Sequence, residues 1–413
     1  MIFSIKINIL AVLVFVLCIG MATSVYASFN IGDLKIGGAI RANYINGDYV
    51  ESGGDGPERG GNGGDFELDT FRVNLDYEKN AWVAKVEYRW YTGYSFLHTG
   101  WVGYNFTDGG QVQVGVNRVP FGVGPYGPSN SWFFDQHYYV GLSDDMDLGV
   151  KYSRKFGRIS LDLAYYFMAE PNGNGDSEDS ARYSYDIVQD DSILNGEYSH
   201  NEERNQVNGR IIYSLPGETV PTDIGLSLQW GQLKADENFA EDSDALAASI
   251  HSKSSWNNWG LMLQLTQYKY DADYKDGTGL TDDLITMGAF DFPWPVASEG
   301  VIPAMALSYT WAPPVEWIDS ITFYNDYSVI LKDGSLPDGT DFNDSAMNVT
   351  GMAIASGGWY IYIDYAYSNG NYFVGDEGDV YGDDYESSAV GDFGAAQNDE
   401  WKGRFNINFG YYF

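Results

Sequence analysis

The sequence contains a single cysteine, and its position leaves most of the chain without any. Cys18 lies in an apolar run, residues 7–19, that follows Lys6 and precedes small residues up to Ala27. This pattern predicts a secretory signal peptide over residues 1–27, with a retained anchor as the alternative. Because the rest of the chain has no cysteine, a secreted product has no disulfide bonds and must be stabilised by its fold alone.

Long apolar runs and basic residues are also scarce. After residue 27 no stretch approaches about 18 consecutive apolar residues, which excludes a transmembrane helix in that part of the chain. The chain has 23 Lys and Arg against 58 Asp and Glu, a formal net charge of −35. Such a surplus of acids repels phosphates and argues against a nucleic-acid partner. A soluble protein and a membrane β-barrel are the two classes that remain.

Aromatic residues and glycine are plentiful instead. The chain has 33 Tyr, 22 Phe, 12 Trp and 49 Gly, and it shows little helical periodicity. Its last ten residues, RFNINFGYYF, illustrate the dominant pattern, because large apolar side chains alternate there with Arg404, Asn406 and Asn408. Such alternation predicts a strand with one apolar and one polar face. A barrel in lipid needs apolar residues only at alternate positions.

Runs with this alternation recur along the chain, and short and longer connections alternate between them. They lie near residues 34–44, 71–78, 81–90, 97–107, 110–118, 146–155, 158–169, 204–215, 222–233, 246–254, 258–270, 303–311, 319–330, 345–356, 358–368 and 401–413. The pattern predicts an all-β fold: one transmembrane, antiparallel, up-and-down barrel of 16 strands, a single domain over residues 28–413, with both termini at the short-turn end.

Two segments bear on the strand count. Residues 246–254 alternate poorly, so 14 and 18 strands stay open as alternatives. Residues 284–290 would add a strand but would break the even number, so we assign them to the sixth loop. Sixteen strands enclose an interior too wide for wall side chains to fill, so we expect a water channel narrowed by another element.

Two motifs carry a resemblance to a known family. The alternating terminal strand, with its final phenylalanine, resembles the assembly signal of bacterial outer-membrane barrels and implies insertion by the barrel-assembly machinery. That signal comprises Phe405, Ile407, Phe409, Tyr411 and Phe413.

The second motif is the segment QVQVGVNRVPFGVGPYGPSNSWFF, residues 111–134. It is similar to the fifth strand and third loop of trimeric porins of Gram-negative bacteria, and it looks closest to the phosphate-selective porin O/P group. The resemblance implies a homotrimer in the outer membrane, in contact with lipid and lipopolysaccharide and with periplasmic termini. It also implies that the third loop, residues 119–145, folds into the lumen.

Charged residues on this loop and on the inward strand faces are the candidates for the constriction. They are Arg41, Arg72, Lys85, Arg89 and Arg118 on the wall, with Asp135, Asp144, Asp145 and Asp147 in or just after the loop. An acidic loop facing a basic wall would create a transverse field across a narrow opening. Strict alternation aims Arg118 at lipid, so we expect its strand to end or bulge before it.

The sequence therefore favours a water-filled diffusion channel for small hydrophilic solutes and ions, with a mild cation preference because its loops are acidic. A substrate-specific channel, for an oligosaccharide or an anion such as phosphate, is the first alternative, and a barrel enzyme or surface receptor is the second. The four histidines lack metal-ligand spacing and a catalytic context. We accordingly predict no enzyme activity, no catalytic residue, no metal site and no cofactor, while divalent-cation binding by the acidic outer loops stays open.

Overall fold

A computed structural model describes most of the chain. The described residues are 29–47, 63–177, 179–189, 200–276, 281–335, 339, 341–374 and 401–413. The predicted signal peptide, residues 1–27, lies outside them. Within the described ranges, no helix has the length and apolar character needed to cross a membrane.

Sixteen antiparallel strands form one large sheet, and a short strand, Phe29–Ile31, pairs with the first of them. The sixteen are β1 (Leu34–Gly47), β2 (Asp65–Lys79), β3 (Trp82–Trp90), β4 (Ser95–Asn105), β5 (Gly110–Arg118), β6 (Met146–Phe156), β7 (Ile159–Ala169), β8 (Asn201–Ser214), β9 (Thr222–Ala235), β10 (Ser243–Trp256), β11 (Trp259–Tyr270), β12 (Glu299–Trp311), β13 (Ser320–Asp333), β14 (Ser345–Ser356), β15 (Trp359–Asn369) and β16 (Lys402–Tyr412).

The sheet closes on itself. Each strand pairs with the next along the chain, and β16 pairs with β1, with Asn408 opposite Asn43. Closure removes the unpaired edge that lipid does not tolerate. The predicted count of 16 strands is confirmed. The weakly alternating segment 246–254 belongs to β10, whose inward face carries Ala245 and Ala247, so its two faces differ little in sequence.

Apolar side chains cover the outside of the barrel. On β9, Leu226, Leu228 and Trp230 point outward and are 54%, 63% and 41% exposed, while Ser227 and Gln229 between them are buried in the interior. Seven tryptophans are exposed among the described residues, and most lie near strand ends. Trp82, Trp90, Trp259, Trp311 and Trp401 lie at or next to a strand end, Trp317 lies in the connection between β12 and β13, and Trp230 lies within β9. An apolar belt bordered by aromatic residues is the surface that a bilayer and its interfaces favour.

The connections at one end of the barrel are short. Two residues join β2 to β3, β6 to β7, β10 to β11 and β14 to β15. The first residue of each pair has a positive φ, namely 56° at Asn80, 57° at Gly157, 50° at Asn257 and 55° at Gly357. Asn and Gly adopt this conformation readily, and it lets a two-residue turn follow the twist of its strands. The strand ends nearest both termini lie at this end.

Several of the longer connections fold into the barrel. The long connections from β7 to β8 and from β11 to β12 are the fourth and sixth of the long loops. They contribute a separate three-stranded sheet made of Asp186–Ile187, Leu284–Ala289 and Phe292–Ala297. Every residue of Leu284–Ala289 is buried. The segment assigned to the sixth loop thus does lie there. It is a strand inside the barrel that pairs with the small inner sheet and not with the strands of the barrel wall. Aromatic and aliphatic side chains from these segments and the third loop form one interior apolar cluster.

Candidate functional site

The third loop, residues 119–145, crosses the lumen and is held by β13. The Asp326 carboxylate accepts hydrogen bonds from the backbone N–H groups of Asn130 at 2.7 Å and Ser131 at 2.9 Å. It also accepts bonds from the Asn130 side-chain amide at 2.9 Å and the Ser129 hydroxyl at 3.1 Å. Four donors converging on one buried carboxylate fix the loop tip strongly. The inward-folded third loop implied by the resemblance is confirmed.

Neighbouring strands add further contacts on the same side. The Trp132 N–H donates to the Asp364 carboxylate of β15 at 3.2 Å, and the Gln136 N–H donates to the Ser328 hydroxyl of β13 at 3.0 Å. We call β13 and β15, with Asp326 and Asp364, the anchor wall. It positions the loop through charge-assisted bonds to backbone groups.

Arg404 of β16 extends this attachment. Its guanidinium carbon lies 5.2 Å from the Trp132 ring centre and 5.1 Å from that of Phe133. The same guanidinium donates to the Phe373 carbonyl at 2.8 Å and to Asn406 at 2.9 Å. Cation–π contacts in a desolvated position are worth about 2 kcal/mol or more, so the aromatic segment of the loop is packed firmly against the wall.

A cavity of about 890 Å³ remains between the third loop and the part of the wall formed mainly by β1–β3, β15 and β16. Its lining extends from Phe66, near the long-loop end of β2, to Tyr412 at the short-turn end of β16. Many aromatic rings line it, and its charged members are Arg41, Arg72, Arg89, Glu67, Asp69 and Asp144. Three cations and three anions leave the lining with no formal net charge.

A β-bulge brings Asp69 into this lining. Arg41 pairs in register with Thr70 while Ala42 pairs with Leu68, so Asp69 is an extra residue in β2. Both Asp69 and Thr70 are consequently buried, although they are adjacent in the strand. Bulges re-aim side chains in this way. The Arg41 Nε atom lies 2.8 Å from the Asp69 carboxylate.

The other two wall arginines share one acid. Glu87 of β3 accepts from Arg89 Nη2 at 2.6 Å and from Arg72 Nη1 at 3.3 Å. Arg89 also lies 4.4 Å from the ring centre of Tyr183, which belongs to the fourth connection. We call Arg41, Asp69, Arg72, Glu87 and Arg89 the charge ladder. The wall expected to be basic therefore carries paired charges of both signs.

Arg118 lies inside the barrel. It ends β5 opposite Met146, and Gly115 earlier in the strand has a φ of 128°. Arg118 Nη2 lies 2.6 Å from the Asp144 carboxylate, which also accepts a bond from the Tyr183 hydroxyl at 2.6 Å. Burial next to Asp144 raises the pKa of Tyr183 well above its ordinary value, so this hydroxyl stays protonated and is the donor in its hydrogen bond to Asp144.

The remaining predicted residues lie away from the cavity lining. Asp135 is buried and contacts His137, whose other ring nitrogen lies 2.8 Å from the Thr266 hydroxyl. Both His137 and Asp135 are shielded from solvent, so this contact fastens the loop to β11. Lys85 shares the inward face of β3 with Glu87 and lies opposite Asp76.

Asp145 and Asp147 are buried at the end of the third loop and the start of β6. They lie near Glu170 and Asp186, with carboxylate oxygens within 4.8 Å of one another. These two acids thus belong to a separate cluster rather than to the cavity lining.

The five residues of the predicted assembly signal lie along β16 and at its end. Phe405, Ile407, Phe409 and Tyr411 are half-buried and alternate with fully buried inward residues. Phe413 follows the strand and continues its pairing, since its N–H donates to the Gly38 carbonyl at 3.0 Å and its carbonyl accepts from the Gly38 N–H at 2.9 Å. The last residue thereby contributes to the seam between β16 and β1.

Sequence reasoning missed the acids that organise the lumen. Asp326 and Asp364 lie on the inward faces of alternating strands, where each follows an inward tyrosine by two residues. A carboxylate on the inward face of a predicted strand, two residues after a tyrosine, is the signal in the sequence that could have identified them. Asp69 lies before the predicted start of its strand, and the bulge that turns it inward leaves no periodic mark in the sequence.

The fold matches that of solved outer-membrane porins. OmpF of Salmonella typhi, in complex with daunomycin, has a TM-score of 0.55 and 10% identity, covering 95% of this chain and 100% of that one. OmpT of Vibrio cholerae has a TM-score of 0.53 and 12% identity, covering 94% and 100%. An anion-selective porin from Comamonas acidovorans has a TM-score of 0.51 and 13% identity, covering 92% and 99%. No family model and no curated protein matches the sequence. At these identities the likeness establishes the fold, which is the closed barrel of the porins.

Proposed function

We propose that this protein is a bacterial outer-membrane channel for passive diffusion of small hydrophilic solutes and ions. The observation that carries the proposal is a loop fixed across the lumen of a closed barrel, with a charged cavity beside it. Such a loop narrows a pore that the strands alone would leave wide. The apolar outer belt supports a membrane location, since it would be costly in water.

Planar-bilayer recording of the full chain, refolded in detergent, tests this function. We expect stepwise conductance increments in KCl, because the cavity is lined by charged and polar groups that tolerate hydrated ions. Folded barrel that inserts into the bilayer without any conductance would contradict the proposal. Insertion is monitored independently by protease protection of liposome-bound protein.

A mild cation preference belongs to the same proposal. The charged lining is balanced, so the preference would come from the acidic character of the chain, whose formal charge is −35. Negative potential at the pore mouth concentrates cations. Reversal potentials in a KCl gradient measure it, and clear anion selectivity would rule it out.

A substrate-specific channel is the second candidate. Tyr91 and Tyr94 in the lining stack at 5.0 Å, and Arg41, Arg72 and Arg89 lie on the same wall. Aromatic faces suit an oligosaccharide, whereas arginines suit an anion such as phosphate, as in the phosphate-selective group. Saturable block of the current by maltose-type sugars or by phosphate would favour this candidate over general diffusion.

Targeting and assembly are also proposals. We infer cleavage after Ala27, insertion by the barrel-assembly machinery, contact with lipopolysaccharide, periplasmic termini and a homotrimer. N-terminal sequencing of the mature protein and native mass spectrometry test the first and the last. Replacing Phe413 by Ala should lower the yield of assembled barrel in cells, because it removes the ring that packs over Gly38 at the seam and ends the predicted assembly signal.

A further inference from the structure

Four buried carboxylates meet inside the barrel, away from the cavity. Asp145 ends the third loop, Asp147 begins β6, Glu170 follows β7 and Asp186 lies in the small inner sheet. One carboxylate oxygen from each residue lies within 4.8 Å of the others. The cluster thus joins four segments that are distant in sequence.

The partners of these acids account for only part of their hydrogen-bonding capacity. Glu170 Oε1 accepts the N–H groups of Tyr183 at 3.1 Å and Ser184 at 2.8 Å, and Asp147 Oδ2 accepts Gln206 Nε2 at 2.9 Å. By contrast, three other oxygens in the cluster have no hydrogen-bond partner among the described residues. They are Asp145 Oδ1, Asp147 Oδ1 and Glu170 Oε2. Each belongs to a side chain that is at least nine-tenths buried.

The charge balance of the cluster is strongly negative. Within the described ranges, Arg182 is the one cation paired to a cluster acid, with its Nη1 atom 2.9 Å from Asp186. Unpaired buried carboxylates are costly, so a group that compensates them would stabilise the fold.

The geometry points to a divalent-cation site at this cluster, and we propose that it binds Ca²⁺. The donors are all oxygens, without His or Cys, which suits a hard cation. Ligands on opposite sides of Ca²⁺ are about 4.6–5.2 Å apart, because each Ca–O distance is about 2.3–2.6 Å. Oxygens that all lie within 4.8 Å of one another are compatible with this span. Mg²⁺ usually keeps several waters and is bound through one or two carboxylates, so a buried set of four carboxylates suits Ca²⁺ better.

The site would connect the loops to the wall. A bound Ca²⁺ together with Arg182 offsets three of the four carboxylate charges. It would hold the end of the third loop, through Asp145, against β6, β7 and the inner sheet. The site lies outside the cavity lining, so it is independent of what passes through the channel.

The experiment compares the refolded full chain in detergent with a double variant, Asp147→Asn with Glu170→Gln. Isothermal titration with CaCl₂ and thermal melts in EGTA or in about 1 mM Ca²⁺, near the upper Kd of extracellular sites, are the measurements. The matched control is Asp242→Asn, which removes an exposed acid paired with Lys234. Heat-modifiable migration in gels shows that each variant is folded.

We expect one saturable Ca²⁺ per wild-type chain, a higher melting temperature in Ca²⁺, and an affinity loss of roughly tenfold or more in the double variant. In EGTA the double variant should melt above the wild type, because two uncompensated charges are gone. The control should keep the wild-type response. Equal Ca²⁺ responses of wild type and double variant would overturn the proposal. It would also be overturned if Ca²⁺ had no effect while acidification alone stabilised the wild type, because the cluster would then be neutralised by protons.

Discussion

On the wall formed by β1–β3, the acids of the charge ladder are paired with arginines, whereas on the anchor wall the acids hold the third loop. Asp69 and Glu87 neutralise arginines that face the cavity. Asp326 and Asp364 accept N–H groups from the loop backbone instead. The same residue type therefore tunes the charge of the lumen on β1–β3 and fixes the loop that narrows it on β13 and β15.

The difference indicates that separate residues control the width of the channel and the charge along it. A carboxylate that accepts several backbone donors fixes a segment in place, because each charge-assisted bond is stronger than a neutral one. A carboxylate beside guanidinium groups reduces their field at the cavity. Substitutions on the two walls should consequently change different properties of the channel.

The largest effect is expected from removing the anchors. Replacing Asp326 and Asp364 together by Ala deletes the acceptors of Ser129, Asn130, Ser131 and Trp132 and should release the loop tip. We expect a severalfold increase in single-channel conductance, with flickering from the mobile loop, in planar-bilayer recordings.

The matched control for this variant is Asp333→Ala, which removes an exposed acid at the end of the same strand, β13. It should conduct like the wild type. If the anchor variant conducted like this control, the loop would be held by other contacts, such as those of Arg404 with the aromatic rings, and the division between the walls would fail.

An intermediate effect is expected from unbalancing the ladder. Glu87→Gln leaves Arg72 and Arg89 without their shared acid and should shift the reversal potential in a KCl gradient towards anion preference. Arg72→Gln should shift it the other way, since the charge that it removes is positive and Glu87 keeps Arg89. Conductance should change little in either variant.

Lys155→Gln supplies the comparison for these two variants, because it removes a charge from an exposed position near a short turn. A shift as large as that of Glu87→Gln would show that any nearby charge sets selectivity. Shifts of the same sign in Glu87→Gln and Arg72→Gln would contradict the ladder directly.

Much of the barrel follows from the sequence, because lipid imposes apolar residues at alternate positions on every strand. The same parity directs Arg41, Arg72 and Arg89 inward, and the structure places all three along the cavity. Leu284–Ala289 is harder to place, since a strand buried on both faces shows no alternation. Only two arguments exclude it from the barrel wall: the strand number must be even, and short and long connections must alternate.

The partners of the lumenal charges do not follow from the sequence. Asp69 turns inward at a bulge, which depends on how β1 and β2 pair. Asp326 becomes an anchor because residues almost 200 positions earlier fold against it. Their positions in and just after the third loop predict that Asp145 and Asp147 lie at the constriction, yet in the structure both side chains belong to a separate cluster with Glu170 and Asp186.

The smallest effect is expected at Tyr183, which contacts both the third loop and the charge ladder. Its hydroxyl donates to Asp144 at 2.6 Å, and its ring lies under Arg89 of the ladder. Tyr183→Phe keeps the ring contact and removes one hydrogen bond to a charged acceptor that retains Arg118. We expect a loss of about 1–2 kcal/mol in unfolding free energy, measured from urea midpoints. Tyr327→Phe, an identical change on the exposed outer face of β13, should cost much less. Equal losses would mean that Asp144 is held by Arg118 alone, so that the third loop and the ladder are not linked through Tyr183.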